Sequence, residues 1–322
     1  MRYVYVVVSG EADYYAEQAA ISIRSLKQTN PGSEAIVIVD TDTYNGLTGR
    51  RSLLKDVADE VLSIEVPKGI TQLQKSRWLK TSVRRLVAGD YVFIDTDTIV
   101  TADLSELESL NCEMAAALVQ DSEKWSPAYP HKHLGGYSAA RGLPEDTDYD
   151  ISYYFNSGFM LCRDTAKVHE IYDLWHSLWL ENATKYNYNF DQPNLWIVNR
   201  KLGNIIKVLP GEYNFHAVFF QISWKYLADC KVFHYFSTSS RGKFLKVRRP
   251  DFLSRFRETG FTPEIDDMIR NIKTELTDGI KMVDRYQQVS DPFIVLVAKK
   301  IAYSYPRVNK MLERIFTPFI KK

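Results

Sequence analysis

The sequence predicts an α/β fold, with a mostly parallel, twisted sheet flanked by helices. Through the first 240 residues, short β-branched and apolar runs alternate with amphipathic helical patterns, which is typical of parallel strands joined by crossover helices. The run Tyr91–Ile94 is apolar throughout, as strands covered by helices on both faces usually are. A chain of 322 residues, 45% hydrophobic and 25% charged, is long enough to bury such a sheet, which excludes disorder as its main state.

The individual elements follow from apolar runs and from helical spacing. The predicted strands are short and rich in β-branched or aromatic residues: Tyr3–Val8, Ala35–Val39, Val61–Val66, Asp90–Ile94, Ser152–Phe155 with Phe159–Cys162, Ile205–Leu209 and Lys231–Tyr235. The predicted helices carry apolar residues at helical spacing: Ala16–Gln28, Lys75–Leu86 and about Asp164–Glu181. Between residues 121 and 151, prolines and glycines predict a long loop, and such loops usually form lids or binding surfaces.

We expect a catalytic domain over residues 1–245 and a helical C-terminal extension over residues 246–322. The extension shows helical patterns over Glu264–Gln288 and Pro292–Ile320. From residue 290 to residue 322, seven basic residues stand against two acidic ones, with apolar residues at helical spacing. A basic amphipathic helix of this kind either lies on an anionic membrane surface or packs its apolar face on the catalytic domain. The sequence leaves both interpretations open.

Charge and cysteine content exclude several function classes. The formal net charge is +1, and no stripe of basic and aromatic residues occurs in the first 240 residues, which argues against a nucleic-acid partner. The cysteines Cys112, Cys162 and Cys230 lie far apart, which favours a reducing compartment over a disulfide framework or a zinc knuckle. With no signal peptide and no bilayer-length apolar run, we expect a cytoplasmic protein, peripheral at the inner face of the membrane if residues 290–322 bind lipid.

Paired aspartates are the first candidates for a functional site. The tripeptide Asp-x-Asp begins at Asp40, Asp95, Asp146 and Asp148, so context must choose among the four. Asp95 and Asp97 are favoured because apolar segments lie on both sides of them, and open parallel sheets bind ligands where their strands end. Two carboxylates there reach one hard cation, Mg²⁺ or Mn²⁺, which neutralises a leaving diphosphate. The alternative is a strand-end turn that uses aspartate for local hydrogen bonds.

A different enzyme class shares part of this pattern. The segment Phe93–Ile99 resembles the nucleophile motif of haloacid-dehalogenase-like phosphatases, in which Asp95 would be the nucleophile and Asp97 the acid and base. That motif normally opens the chain, and the Gly-Asp and acidic metal loop that it requires is missing downstream. We therefore keep the phosphatase as an alternative.

The sequence resembles glycosyltransferase family 8, which includes glycogenin and bacterial lipooligosaccharide galactosyltransferases. Four segments carry the resemblance, in the order of the family and within residues 1–245: Tyr91–Val100, Tyr154–Leu161, Asp191 with Gln192, and Val232–Tyr235. The resemblance implies a GT-A fold. It also implies transfer of a hexose, glucose or galactose, with retention, from a UDP-sugar to a glycan or lipid-linked acceptor, as in cell-surface glycan biosynthesis.

The resemblance also assigns roles to individual residues. Asp95, Asp97 and His234 would bind Mn²⁺, with Mg²⁺ as the alternative ion, and an imidazole beside two carboxylates suits Mn²⁺ better. Asp191 would lie against the sugar hydroxyls and Gln192 near the anomeric carbon, although no residue can be assigned as a covalent nucleophile. The implied donor-binding residues lie at strand ends and in adjoining loops: Asp13, Tyr15, Arg77, Asp95, Asn156, Ser157, Gly158 and Lys243.

Two segments depart from the family pattern. Where the family has a pair of aspartates in the first loop, this chain has Ala12 and Asp13, which leaves Asp13 as the substitute. In place of the family's glycine and Lys-Pro-Trp stretch, this chain has residues 237–243, which end in Lys243. These departures keep open a third hypothesis, a catalytically idle GT-A scaffold that binds nucleotide-sugars.

Overall fold

The structure is a computed structural model that describes residues 1–119, 128–142, 151–217, 224–236 and 245–290, with backbone alone over 128–133, 224–225 and 279–290. The chain divides into two compact units, Met1–Ile272 and Lys273–Lys322. The first unit runs past the boundary expected at residue 245, and a functional boundary at that point stays a prediction. The basic segment from residue 291 onward lies outside the described residues.

The strands of the described residues form two sheets. They are β1 (Arg2–Val7), β2 (Glu34–Asp40), β3 (Glu60–Ile64), β4 (Tyr91–Ile94), β5 (Thr98–Val100), β6 (Met114–Leu118), β7 (Phe155–Cys162), β8 (Ile206–Leu209), β9 (Phe215–His216) and β10 (Val232–His234). The large sheet has the order β3-β2-β1-β4-β7-β6-β8, and the small sheet has the order β5-β10-β9. In the large sheet only β7 runs antiparallel to its neighbours. A mostly parallel α/β sheet is therefore confirmed.

The helices cover the large sheet or follow it in the chain. They are α1 (Tyr15–Thr29), α2 (Thr41–Gly46), α3 (Leu53–Val57), α4 (Gln72–Leu86), α5 (Ala128–Ala140), α6 (Ala166–Lys185), α7 (Gln192–Lys201), α8 (Trp224–Leu227), α9 (Pro250–Thr259) and α10 (Pro263–Ser290). The predicted helical character beyond residue 250 is confirmed as far as residue 290.

The loop predicted between residues 121 and 151 is partly wrong, because it contains helix α5. Its proline, Pro130, lies in the first turn, where backbone N–H groups have no partner inside the helix and proline is tolerated. Leu134 of the same helix is fully buried in a cluster with Tyr154 and Trp196. Tertiary packing therefore overrides the low helix propensity of its glycines.

Two strand predictions also need correction. The segments predicted as Ser152–Phe155 and Phe159–Cys162 form one strand, β7, which begins at Phe155. The polar residues between them suggested a break, yet Asn156 and Ser157 are buried within the strand. Strand β6 was not predicted, because its three alanines have low β propensity and only its position inside the sheet makes it a strand.

The strand order creates a crevice at one edge of the large sheet. From β1 the chain builds outward to β2 and β3 on one side and returns to β4 on the other. Ligands of open α/β sheets bind outside the carboxyl ends of the strands at such a reversal. Asp95 directly follows β4 at this point, and Tyr15 begins the helix that follows β1. The topology thus places the predicted metal strand beside the predicted nucleotide loop.

Helix α4 is fixed to the fold by its packing against α6. At their interface His176 is 6% exposed, and its Nδ1 lies 2.8 Å from Thr81 Oγ1. The ring also meets Trp78 edge-on, at 5.6 Å between centroids. This contact matters because α4 carries Arg77 and Lys80 into the crevice. Among the described residues, no helix is long and apolar enough to cross a membrane.

Stability is expected to depend on the protonation of His176. Burial, and then the nearby Arg85 guanidinium, lower the pKa of this imidazole from 6.5 to about 4. The unfolded chain therefore binds a proton that the folded chain does not between pH 6.5 and pH 4. The contribution of neutral His176 to the free energy of unfolding is fully present above pH 6.5. Up to roughly 3 kcal/mol of it is lost as the pH falls to 4.

We expect His176→Gln to remove this part of the pH dependence. The measurement is urea unfolding of both chains at pH 7.5 and pH 4.5. The wild type should lose more free energy of unfolding between the two pH values than the variant does. Equal losses would show that the imidazole does not titrate in this way.

Candidate active site

A cavity of about 480 Å³ opens at the carboxyl ends of β1 and β4. It receives side chains from α1, α4, β7, the start of α7 and the end of β10, together with the residues that follow β4. Elements far apart in the sequence therefore meet at this one place. The predicted residues Tyr15, Arg77, Asn156, Ser157 and Gln192 all line the cavity.

Asp95, Asp97 and His234 lie together on the wall of this cavity. One ligand atom of each lies within 4.8 Å of the others. The small sheet brings the imidazole to the carboxylates, since His234 of β10 is paired with Thr98 of β5. The backbone N–H of Tyr235 donates to the Asp97 carbonyl at 3.0 Å, which fixes the strand end. The three side chains are close enough together to share one cation, and carboxylate oxygens with an imidazole nitrogen suit a divalent ion.

The hydrogen bonds that orient the His234 ring indicate whether the cluster suits a cation. Asn214 Nδ2 donates to Asn156 Oδ1 at 2.8 Å, so Asn214 Oδ1 faces the ring and accepts from His234 Nδ1 at 2.9 Å. With Nδ1 donating to Asn214, Nε2 is the ring nitrogen that faces Asp97 Oδ1, 3.2 Å away. An imidazole oriented through its other nitrogen in this way is the usual arrangement for a metal-ligating histidine. The donor set therefore fits a divalent cation.

Gly158 makes room for this cluster. Its carbonyl accepts from the Asp95 N–H at 2.8 Å, and its own N–H donates to Asn156 Oδ1 at 2.8 Å. A Cβ at position 158 would lie 2.6 Å from His234 Cε1 and 2.8 Å from Asp95 Oδ2. Because real Cβ atoms do not approach so closely, glycine is required here for close packing.

Asp191 lies across the cavity from the metal ligands and is held by cations. Arg77 Nε lies 3.0 Å from Asp191 Oδ1, and Ser157 Oγ–H donates to Asp191 Oδ2 at 2.6 Å. Burial opposes ionisation, but Arg77, Lys80 and the Ser157 hydrogen bond hold the pKa of Asp191 well below its usual range. Trp175 Nε1–H donates to the Asp191 carbonyl at 2.9 Å. Asp191 is thus a fixed anion at any ordinary assay pH.

Lys80 is a site residue that the sequence analysis did not assign. Its Nζ lies 3.0 Å from Asp95 Oδ1 and 3.6 Å from Asp191 Oδ2, and it stacks over Phe93 at 4.8 Å. The side chain is 3% exposed. The sequence held one signal for Lys80. It is three residues from Arg77, and residues at this spacing share one face of a helix.

Phe236 and Asn214 were also missed. The Phe236 ring stacks on His234 with 3.9 Å between centroids and lines the cavity. Its φ of 51° lies in the left-handed region, which is uncommon for a bulky residue. No local sequence pattern announces either residue, because Asn214 reaches His234 from 20 residues earlier in the chain and Phe236 stacks on it in a left-handed backbone conformation.

Two predicted donor residues are not seen in the cavity. Asp13 does not line it, and its carboxylate accepts hydrogen bonds from Ser9 Oγ, the Gly10 N–H, the Tyr15 N–H and Gln72 Nε2. In this arrangement Asp13 organises the loop that precedes Tyr15. Lys243 lies in residues 237–244, outside the described residues.

The remaining Asp-x-Asp tripeptides do not join the metal cluster in the described part of the chain. Asp40 caps α2 by accepting from the Thr43 N–H at 3.2 Å. Lys75 then bridges Asp40 and Asp42 at 2.8 Å and 2.6 Å. Asp40 and Asp42 therefore form a strand-end turn with local hydrogen bonds, and the Lys75 ammonium lies between their carboxylates. The tripeptides at Asp146 and Asp148 lie outside the described residues.

Comparisons with known proteins identify the family and the fold. The family model described as glycosyl transferase family 8 matches residues 6–239, whereas the curated proteins contain no match. The solved apo structure of the WbbM bifunctional glycosyltransferase has a TM-score of 0.52 and 18% identity, covering 83% of this chain and 51% of that chain. Galactosyltransferase LgtC in complex with donor and acceptor sugar analogs has a TM-score of 0.50 and 16% identity, covering 83% of this chain and 100% of that chain.

An active-site mutant of LgtC gives a TM-score of 0.51 at 16% identity, with the same coverage of the two chains. At these identities the structural likeness shows the fold alone, and that fold is the predicted GT-A fold. The family model covers well over half of the sequence and includes Asp95, Asp97, Asp191 and His234. The chain therefore belongs to glycosyltransferase family 8.

Proposed function

We propose that this glycosyltransferase moves a hexose, glucose or galactose, from a UDP-sugar to a glycan or lipid-linked acceptor, with retention and with Mn²⁺. The observation that carries the proposal is the cluster of Asp95, Asp97 and His234 on the wall of a cavity of about 480 Å³. A cavity of this size suits a small-molecule ligand. Its place at the strand reversal is where nucleotides bind in α/β sheets.

The donor set supports Mn²⁺ over Mg²⁺ because one of the three ligands is an imidazole nitrogen. Asp95, Asp97 and His234 Nε2 would hold the ion, and Asn214 would hold the imidazole in the required tautomer. A divalent cation held by these residues would neutralise the charge that develops on the departing diphosphate.

Asp191 supports a separate role on the sugar side of the cavity. Its carboxylate is ionised and buried, with one oxygen on Arg77 and the other on Ser157. A fixed anion accepts hydrogen bonds from sugar hydroxyls and favours the positive charge of an oxocarbenium-like transition state. Gln192 follows it at the first residue of α7 and presents its amide to the same cavity.

Lys80 and Arg77 set the charge balance of the site. Three carboxylates, from Asp95, Asp97 and Asp191, meet two cationic side chains. A divalent cation and a diphosphate add charges of opposite sign, so the complete site stays close to neutral. The family match removes the phosphatase alternative.

The donor is identified by measuring UDP release from UDP-glucose, UDP-galactose and their N-acetyl forms, with Mn²⁺, with Mg²⁺ and with chelator. We expect release from one UDP-hexose that is fastest with Mn²⁺ and absent with chelator. Binding of UDP without release from any donor would indicate an idle scaffold. Absence of metal-dependent UDP binding would overturn the proposal.

Asp97→Asn is expected to weaken Mn²⁺-dependent UDP binding at least about tenfold, because an amide oxygen is a weaker ligand than a carboxylate. Isothermal titration of UDP with and without Mn²⁺ measures the effect. Asp42→Asn is the matched control, since Asp42 is 83% exposed and lies in a tripeptide outside the cluster. If both variants bind UDP like the wild type, the metal assignment is wrong.

Gly158→Ala is expected to disrupt the cluster of Asp95, Asp97 and His234 without changing any of its three side chains. The added methyl would displace the His234 ring or the Asp95 carboxylate, so we expect metal-dependent UDP affinity to fall by about tenfold or more. Gly135→Ala in α5 serves as the control, because nothing lies within 4 Å of a Cβ there. Normal UDP affinity in a folded Gly158→Ala chain would contradict the close packing described here.

Asp191→Asn is expected to separate chemistry from nucleotide binding. The amide keeps the shape of the side chain but loses its negative charge, so kcat should fall by about a hundredfold. The Kd of UDP with Mn²⁺ should stay within about threefold of the wild-type value, because Asp191 is not among the clustered metal ligands. A large rise in that Kd with little change in kcat would place Asp191 in nucleotide binding instead.

A further inference from the structure

A side chain from the C-terminal part of the first compact unit reaches the loop before Tyr15. Helix α9 buries Phe252, Leu253 and Phe256, and the next residue, Arg257, extends toward residues 9–14. Its side chain is 18% exposed. Arg257 lies 18 residues beyond the end of the segment that matches the family model. The contact is therefore a feature of this chain outside the matched segment.

The guanidinium of Arg257 makes four hydrogen bonds. Nε and Nη2 donate to the two carboxylate oxygens of Glu17, at 2.6 Å and 3.0 Å. Nη1 donates to the Glu11 carbonyl at 2.7 Å, and Nη2 also donates to the Asp13 carbonyl. The group stacks over the Tyr14 ring at 4.6 Å. One planar group thus ties a loop backbone to the first turns of α1.

Glu17 makes this tie rigid. It is 3% exposed and lies in the first turn of α1. A second arginine, Arg51, approaches it at 3.9 Å and donates to Ser9 Oγ at 2.8 Å. A buried carboxylate with a bidentate arginine partner has one preferred geometry, and loss of Arg257 would leave Glu17 with the longer contact to Arg51.

The loop held in this way leads directly to the cavity. Gly10, Glu11 and Ala12 are exposed, so the loop has little packing of its own. Its last residue precedes Tyr15, whose side chain lines the cavity. The position of the Tyr15 ring therefore depends on the path of the loop. Arg257 holds that path by hydrogen bonds to the Glu11 and Asp13 carbonyls and by stacking on Tyr14.

We propose that Arg257 is a positioning residue for nucleotide binding: the helix after the family segment clamps the loop of residues 9–14 and thereby orients Tyr15 in the cavity. The inference rests on the proposed function, since it requires a nucleotide in the cavity. It makes α9 part of the donor site, although α9 was expected to belong to an appendage. Arg257 itself does not line the cavity.

The test compares Arg257→Ala with Arg255→Ala, a control on the same helix. Arg255 is 56% exposed and pairs with Glu264 at the surface. For Arg257→Ala we expect the Kd of UDP with Mn²⁺ and the KM of the donor to rise about tenfold, with kcat within about twofold. Arg255→Ala should leave all three values within about twofold. Arg257→Lys, which keeps the charge but not the bidentate geometry, should fall between the two.

Two further readouts separate positioning from general stability. Amide hydrogen exchange over residues 10–18 should speed up in Arg257→Ala while exchange in α6 stays unchanged. Millimolar guanidinium should restore part of the UDP affinity of Arg257→Ala, whereas urea at the same concentration should not. Faster exchange throughout the chain, or no rescue by guanidinium, would show that Arg257 only stabilises the fold and would overturn the inference.

The outcomes also distinguish the inference from the proposed function. If the wild-type chain binds UDP and Arg257→Ala binds it equally well, the inference alone is wrong. If the wild-type chain binds no UDP with any divalent metal, the proposed function is wrong and the inference falls with it. If Arg257→Ala does not fold, Arg257→Lys decides by the same measurements.

Discussion

The site depends on the close approach of two antiparallel strands, β4 and β7, at Gly158. The carbonyl of Gly158 accepts the Asp95 N–H, and the missing side chain leaves space for His234 and the Asp95 carboxylate. Three chain segments separated by more than 60 residues converge on this point. A single methyl group there would push apart the His234 imidazole and the Asp95 carboxylate, so the packing of the backbone decides whether these candidate metal ligands stay together.

Charge is the second organising principle of the molecule. Carboxylates that would repel one another are kept together by Arg77 and Lys80 on α4, and α4 is held by α6 through the neutral imidazole of His176. The low pKa of Asp191 follows from this arrangement. The helix pair therefore connects the hydrophobic core with the electrostatics of the cavity, because a shift of α4 would leave buried carboxylates without partners.

Charged contacts also hold the wall of the cavity around Tyr15. The loop before Tyr15 departs from the family pattern at Ala12, and Asp13 uses its oxygens within the loop. The chain stabilises that loop from outside instead, with Arg257 and Arg51 around the buried Glu17. A substitution in the binding loop is thus accompanied by contacts from a helix that follows the family segment.

By itself the sequence determined the α/β class, most strand positions, the Asp95 and Asp97 pair and the family, because hydrophobic periodicity and ordered motifs are local properties. It did not predict α5 or β6, whose glycines and alanines are outweighed by packing. Only the tertiary structure decided that Lys80 bridges two carboxylates, that Asn214 orients His234 and that Asp13 bonds within its own loop. The first two roles depend on distances between residues that are far apart in the chain, which no local pattern encodes, and Asp13 is also held by Gln72, 59 residues away.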